Sequence, residues 1–193
     1  VMAPSSENEL CNSIATSLHI NDRPSAFRYP RGEGIGEKIN EKPEIWEIGK
    51  AKLIREGSKV CILSLGTRLK DSLVASEILA SYGLPTTVVD ARFAKPIDEL
   101  LITQLARDHE VLITVEEGSI GGFSAQVMSF LTKTGALDKG LKFRPIFFPD
   151  VFINHGKPEQ QNSECGVDSE GIIKSALGAL GIATPAKFSL ERA

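Results

Sequence analysis

Apolar blocks separated by turn-forming residues recur about every twelve positions over most of the chain. Four of these blocks predict strands, over residues 59–65, 86–90, 111–115 and 142–148. The first is almost continuously apolar, which is typical of a parallel strand covered on both faces. Residues 46–54 predict either a pair of strands or one longer strand.

The segments between these blocks carry apolar residues at helical spacing. They predict helices over residues 68–82, 96–107, 123–132 and 169–180. In the first helix the inward face should consist of Leu69, Leu73, Val74, Ile78 and Tyr82. Regular alternation of strands and helices indicates βαβ units. The predicted class is therefore α/β, with a mainly parallel sheet between two layers of helices.

The first 36 residues follow a different pattern. Ser6 and Glu9 have capping-box spacing and predict a helix whose apolar face is Leu10, Ile14 and Leu18. Residues 25–29 can form a strand. These elements are too few to close a core, so we expect residues 1–36 to end one domain of a longer polypeptide. The polar stretch 37–44 would then be a linker, and 37–193 the second domain.

Composition and charge exclude several classes of protein. A net charge of −3 with no basic run longer than two residues argues against a nucleic-acid-binding protein. No apolar run approaches the ~18 residues that a membrane-spanning helix needs. The three cysteines are widely separated and odd in number, which favours a reducing, cytoplasmic compartment. Cys61, inside an apolar run, is expected to be a buried small hydrophobe.

The stretch from Phe27 to Gly36 is a candidate anion site. Arg28 and Arg31 flank a turn at Pro30, and glycines follow at every second position. Arginine offers planar, bidentate donors to a phosphate or a carboxylate. A basic pair on a solvated loop is the alternative interpretation, and the spacing alone favours it.

The carboxyl ends of the predicted strands supply further candidates, since ligands of parallel sheets gather there. Glu116 and Glu117 form a carboxylate pair that is either a general base, a partner for arginine, or a solvated or helix-capping acid. The glycines between 118 and 122 lack a phosphate-loop pattern and are expected to allow close helix packing. Arg92 is a candidate for an interface or an anion.

The histidines do not predict a catalytic or metal site. His19 and His109 fall near helix ends, where surface roles are common. His155 follows a strand but has no metal ligand at a suitable spacing. The chain lacks the G-x-S-x-G elbow of a serine hydrolase.

Several motifs together resemble one family. They lie at residues 2–5 (MAPS), 28–32 (RYPRG), 65–67 (LGT), 90–93 (DARF), 95–98 (KPID), 115–118 (VEEG), 149–156 (PDVFINHG) and 166–168 (GVD). The G-T, D-x-R and E-E-G elements are shared widely by transketolase-like enzymes. The RYPRG and PDxFIxHG segments are more particular, and with them the chain resembles the C-terminal portion of the 1-deoxy-D-xylulose-5-phosphate synthases.

The resemblance implies a transketolase C-terminal domain, with a five-stranded sheet and one antiparallel edge strand, preceded by the last elements of a pyrimidine-binding domain. It implies a parent enzyme that condenses pyruvate with glyceraldehyde 3-phosphate for isoprenoid, thiamin and pyridoxal synthesis. That family uses thiamin diphosphate and Mg²⁺. Its cofactor motifs and its catalytic glutamate would lie upstream of Val1, so this chain alone should bind no cofactor or metal and catalyse nothing.

By position, the resemblance makes Arg31 the contact to the substrate phosphate, with Arg28 and Tyr29 supporting the loop. It also implies two partners: the missing N-terminal part of the polypeptide and a second copy. An interface role for residues 152–156 in that dimer is a hypothesis. Two alternatives remain open. One is the C-terminal domain of a 2-oxo acid dehydrogenase E1 β subunit, against which RYPRG argues. The other is a non-catalytic dimerisation domain of the same fold.

Overall fold

The computed structural model describes residues 1–30, 32 and 34–184. The described helices are α1 (Glu7–His19), α2 (Leu69–Ser81), α3 (Glu99–Asp108), α4 (Phe123–Lys133), α5 (Pro158–Glu164) and α6 (Ser169–Leu180). The strands are β1 (Lys52–Arg55), β2 (Val60–Leu65), β3 (Thr86–Asp90), β4 (Val111–Ser119) and β5 (Lys142–Phe148). Short 3-10 helices cover Gly66–Arg68 and Ala136–Lys139.

The strands form one mixed sheet in the order β1-β3-β2-β4-β5. All neighbouring pairs are parallel except β1 and β3, where Leu53 lies opposite Val89 in an antiparallel edge. The predicted α/β class, the five strands and the single antiparallel edge strand are therefore confirmed.

Each face of the sheet carries its own hydrophobic core. On one face β2 and β4 contribute side chains such as Ile62 and Ile113, which pack against α2 and α6. On the other face Leu63 and Leu112 lie in a cluster with side chains of α3 and α4. Since β2 is buried along its whole length, neither of its faces is exposed, as its almost continuously apolar sequence predicts.

The buried face of α1 is polar, and the apolar face predicted for this helix lies mainly on the outside. Ser6 caps the helix by accepting a hydrogen bond from Glu9 N. The buried residues of α1 are Glu9, Asn12, Ser13 and Thr16. Ile14 and Leu18, which belong to the predicted apolar face, are 41% and 74% exposed. The helical period is as predicted, but the surface that α1 turns toward the rest of the chain is its polar one.

The polar face of α1 holds residues 36–46, which include the stretch 37–44 that was expected to be a linker. The Asn8 side chain donates to Lys38 O and accepts from Asn40 N. Asn12 Oδ1 accepts from Glu44 N, and Thr16 Oγ1 accepts from Trp46 N at 2.9 Å. Helix side chains thus satisfy several backbone groups of an extended segment that pairs with no strand. The segment is fixed along α1.

Three further differences concern local elements. Residues 25–29 form no strand but a single bridge, between Phe27 and Met2. The buried face of α2 combines small residues such as Ser72 and Ala75 with Leu79 and with Ile78, which was predicted there, whereas Tyr82, expected inside, is 46% exposed. Helix α5, which is polar throughout, was not predicted. Since it buries no residue, it lacks the periodic apolar signal on which a helix prediction depends.

Candidate functional site

A cavity of about 140 Å³ lies at the carboxyl ends of β2 and β4. Residues 3–4 and 28–30 of the N-terminal segment form one wall. Leu65, Gly66, Thr67 and Glu117 form the other. The cavity is thus at the sheet edge where ligands of parallel sheets are expected.

Glu117 is the acidic group of this cavity, and its charge is balanced by an arginine. Its Oε1 accepts a hydrogen bond from Thr67 Oγ1 at 3.0 Å and lies 2.8 Å from Arg68 Nη2. Arg68 also pairs with Asp71 at 2.9 Å. Of the roles open to Glu117, the structure shows that of a partner for arginine. Arg68 was not predicted from the sequence. The available signal was Asp71, which follows three residues later at the start of the same helix, a spacing at which side chains are neighbours.

Arg28 reaches across from the N-terminal segment to the strand end. Its Nη1 donates to Glu117 O at 2.7 Å, while its backbone N donates to Met2 O. Tyr29 follows, stacks against Phe27 and remains 63% exposed. Arg31, the predicted phosphate contact, lies outside the described residues.

Glu116 points away from this cavity and caps α4. The buried carboxylate accepts hydrogen bonds from Phe123 N, Ser124 N and Ser124 Oγ at 2.8–2.9 Å. A Cβ at Gly118 would lie 2.6 Å from Glu116 Oε2, and one at Gly122 would collide with the same atom. These glycines make room for the carboxylate. Helix capping, one of the alternatives for the acidic pair, is therefore the role of Glu116.

Arg92 is buried in an internal cluster, so the expectation of an anion site there was wrong. The side chain is 8% exposed and lies 3.1 Å from Glu9 Oε2, with Glu44 at 3.7 Å. Its guanidinium also sits 4.7 Å from the ring centre of Trp46. Because Glu9 belongs to α1, Arg92 joins the N-terminal segment to the sheet. Of the two alternatives for Arg92, the structure shows an interface, between α1 and the sheet.

Asp90, beside this cluster, begins the D-x-R motif of the sequence, but no role of its own was predicted for it. It is buried, its Oδ2 accepts from Ser5 Oγ at 2.6 Å and its Oδ1 accepts from Arg92 N at 3.1 Å. Burial raises the pKa of Asp90 to about 6, against the stabilising hydrogen bonds from Ser5 and Arg92. An acid at the last position of a buried strand was the available signal.

The histidines do not converge. His19 Nδ1 contacts Ala15 O, and the ring of His109 bridges Leu105 O and Thr87 Oγ1. His155 is exposed. Within residues 1–30, 32 and 34–184, no group of three or more His, Cys, Asp or Glu side chains could hold a metal ion.

Two further expectations concern cysteine and the membrane. Cys61 is fully buried, as predicted, and burial raises the pKa of its thiol. Among the helices that the structure describes, none is both long and apolar enough to cross a bilayer.

The fold defines an α/β domain with a mixed five-stranded sheet between helices. The chain belongs to the family described as "Transketolase, C-terminal domain", whose model matches residues 49–172. A solved structure described as "Split gene transketolase, inactive beta4 tetramer" is similar in fold, with a TM-score of 0.79 at 23% identity. That match covers 95% of this chain and 57% of the other, so this chain spans little more than half the length of that relative.

Proposed function

We propose that this chain is the C-terminal portion of a 1-deoxy-D-xylulose-5-phosphate synthase. The parent enzyme would condense pyruvate with glyceraldehyde 3-phosphate, releasing CO2 and forming 1-deoxy-D-xylulose 5-phosphate. This product would supply isoprenoid, thiamin and pyridoxal synthesis. Membership of the transketolase C-terminal family supports the general class. The RYPRG segment supports the particular enzyme over a 2-oxo acid dehydrogenase subunit. The widely spaced cysteines favour a cytoplasmic setting.

One observation carries the proposal. Arg28, Tyr29 and Pro30 line the same cavity as Gly66 and Thr67. The segment most particular to the synthases thus meets the strand-end turn shared by transketolase-like enzymes. A substrate at this edge would contact both.

In such a parent enzyme, thiamin diphosphate would supply the carbanion chemistry, with Mg²⁺ holding its diphosphate. The described residues do not fit the Mg²⁺ site, since they include no group of three or more His, Cys, Asp or Glu side chains that could hold a metal ion. We place the cofactor site and the catalytic glutamate upstream of Val1. The task of this chain would be to bind and orient the phosphorylated acceptor.

Arg31 is the proposed phosphate contact. A guanidinium remains charged and can grip a phosphate dianion through two parallel hydrogen bonds. In the full-length enzyme, Arg31→Ala should remove on the order of 2–3 kcal/mol of binding, or roughly a thirtyfold or larger rise in KM for glyceraldehyde 3-phosphate. The KM for pyruvate should change far less. Steady-state kinetics with each substrate varied in turn measures both. Equal effects on the two substrates would contradict the assignment.

A second proposal concerns assembly. The Phe152 side chain is fully exposed and Val151 is 68% exposed, on the loop that runs to Gly156 after β5. Exposed apolar residues next to each other are typical of contact surfaces. We propose that this loop contributes to a homodimer of the parent enzyme. The similar split-gene transketolase is itself described as a tetramer.

A further inference from the structure

Glu117 has two separate contacts at the cavity, one through its backbone and one through its side chain. Its carbonyl accepts from the Arg28 guanidinium at 2.7 Å. Its carboxylate is held by Thr67 Oγ1 at 3.0 Å and by Arg68 at 2.8 Å. The side-chain contacts therefore fix the residue whose carbonyl anchors Arg28.

Arg28 is anchored at both ends. Its backbone N donates to Met2 O at 3.0 Å, in the N-terminal segment, and its guanidinium reaches the end of β4. Because Tyr29 and Pro30 follow directly and line the cavity, the orientation of the turn depends on both anchors. The second anchor belongs to the sheet.

The carboxylate of Glu117 also balances the charge of Arg68 beside the cavity. The Arg68 side chain is 12% exposed and pairs with Glu117 and Asp71. If the Glu117 carboxylate is removed, Arg68 loses one of two partners in a partly desolvated position and must rearrange beside the cavity. The strand end that supports Arg28 would rearrange with it.

We infer that Glu117 is a positioning residue for the phosphorylated acceptor. Through its carbonyl it holds Arg28, and through Arg28 the turn that precedes the phosphate contact. Glu117 itself would not touch the substrate. Selection of a phosphorylated over an unphosphorylated acceptor would thus depend on a residue of the sheet as well as on the RYPRG turn. This inference rests on the function proposed above.

The test compares three variants of the full-length enzyme. Glu117→Ala should raise KM for glyceraldehyde 3-phosphate about tenfold, with the KM for pyruvate and the rate with unphosphorylated glyceraldehyde little changed. Glu117→Gln keeps the size and an oxygen for Thr67, so it should have a smaller effect. Glu110→Gln is the matched control: Glu110 precedes the same strand at its opposite end and pairs with Lys142 at 2.7 Å. It should leave both KM values unchanged.

A double-mutant cycle separates positioning from general loss of structure. If Glu117 acts through Arg28, then Arg28→Ala/Glu117→Ala should be no worse than Arg28→Ala alone in KM for the phosphorylated acceptor. Additive effects, or equal losses with both acceptors, would overturn the inference while leaving the synthase activity of the unaltered enzyme intact. An unaltered enzyme without synthase activity would instead refute the proposed function, and the inference with it. If Glu117→Ala does not fold, the same cycle with Glu117→Gln decides.

Discussion

Replacing Arg92 with methionine tests the contact that joins α1 to the sheet. Methionine keeps an unbranched, flexible side chain, although a shorter one, and removes the charge. Glu9, itself 9% exposed, would lose the partner 3.1 Å away and, among the described residues, would keep the ion pair with Lys52 at 3.4 Å. The cation–π contact to Trp46 would also disappear.

The expected magnitude follows from this burial. Removing one member of a buried ion pair costs about 3–5 kcal/mol, because the remaining charge is left desolvated. Since Lys52 still offers partial compensation, we expect a loss of about 3 kcal/mol. With a slope of roughly 2 kcal/mol per molar urea, the unfolding midpoint should fall by about 1.5 M.

Trp46 makes the measurement direct. It is the single tryptophan of the chain, it is 3% exposed and it lies under Arg92, so its fluorescence follows this interface during urea unfolding. Far-UV circular dichroism on the same samples tests whether the interface and the helices unfold together. Arg55→Met is the matched control, since Arg55 forms an exposed pair with Glu77 and should lose less than about 1 kcal/mol.

A second variant tests the cause. Glu9→Gln/Arg92→Met removes both charges, so the double variant should be more stable than the sum of the two single losses predicts, by about 2 kcal/mol. The reasoning is refuted if Arg92→Met costs no more than Arg55→Met. It is also refuted if the two single losses simply add.

Two more predictions concern the pH dependence and the exposed loop. The pKa of Asp90 is raised to about 6 from its ordinary 3.8, so the folded state favours the protonated carboxyl. The stability that this protonation contributes is complete below pH 3.8 and is lost as the pH rises through about 6. The free energy of unfolding of Asp90→Asn, relative to that of the unaltered chain, should therefore be higher at about pH 7.5 than at about pH 4.5. Identical differences in urea midpoint at the two pH values would contradict this. Phe152→Ser and His155→Ala should each weaken the proposed dimer of the full-length protein in sedimentation velocity, whereas Leu100→Ser, which alters a side chain 76% exposed on α3, should not. Unchanged dissociation in the first two variants would remove this loop from the interface.

The sheet was predictable because the pattern of apolar residues in each parallel strand reflects how that strand is buried. Val60–Leu65 is buried on both faces and is apolar except for Ser64. Thr86–Asp90 and Lys142–Phe148 begin and end where the pattern predicts. The carboxyl-end rule also indicated where the cavity lies. These features depend on short-range pattern and on general properties of parallel sheets.

The partners of the polar residues were not predictable in the same way. Glu116 and Glu117 are adjacent in sequence, yet one caps α4 and the other faces the cavity with Arg68. Alternation along a strand sends neighbouring side chains to opposite faces, but the identity of each partner depends on how distant segments meet. Arg92 illustrates the same limit, because its partner Glu9 is 83 residues away.

The orientation of α1 bears on how the chain divides into domains. A surface helix that belongs to the core of its own unit turns its apolar side inward. In α1 the side turned toward the sheet is polar, with Asn12 and Thr16 holding residues 44–46, while Ile14 and Leu18 face outward. A helix with this arrangement meets the sheet as one domain meets another, through hydrogen bonds and a buried ion pair. Its apolar side is then available for a core formed by other residues. This arrangement supports the proposed division, in which residues 1–36 end a domain distinct from the one that follows.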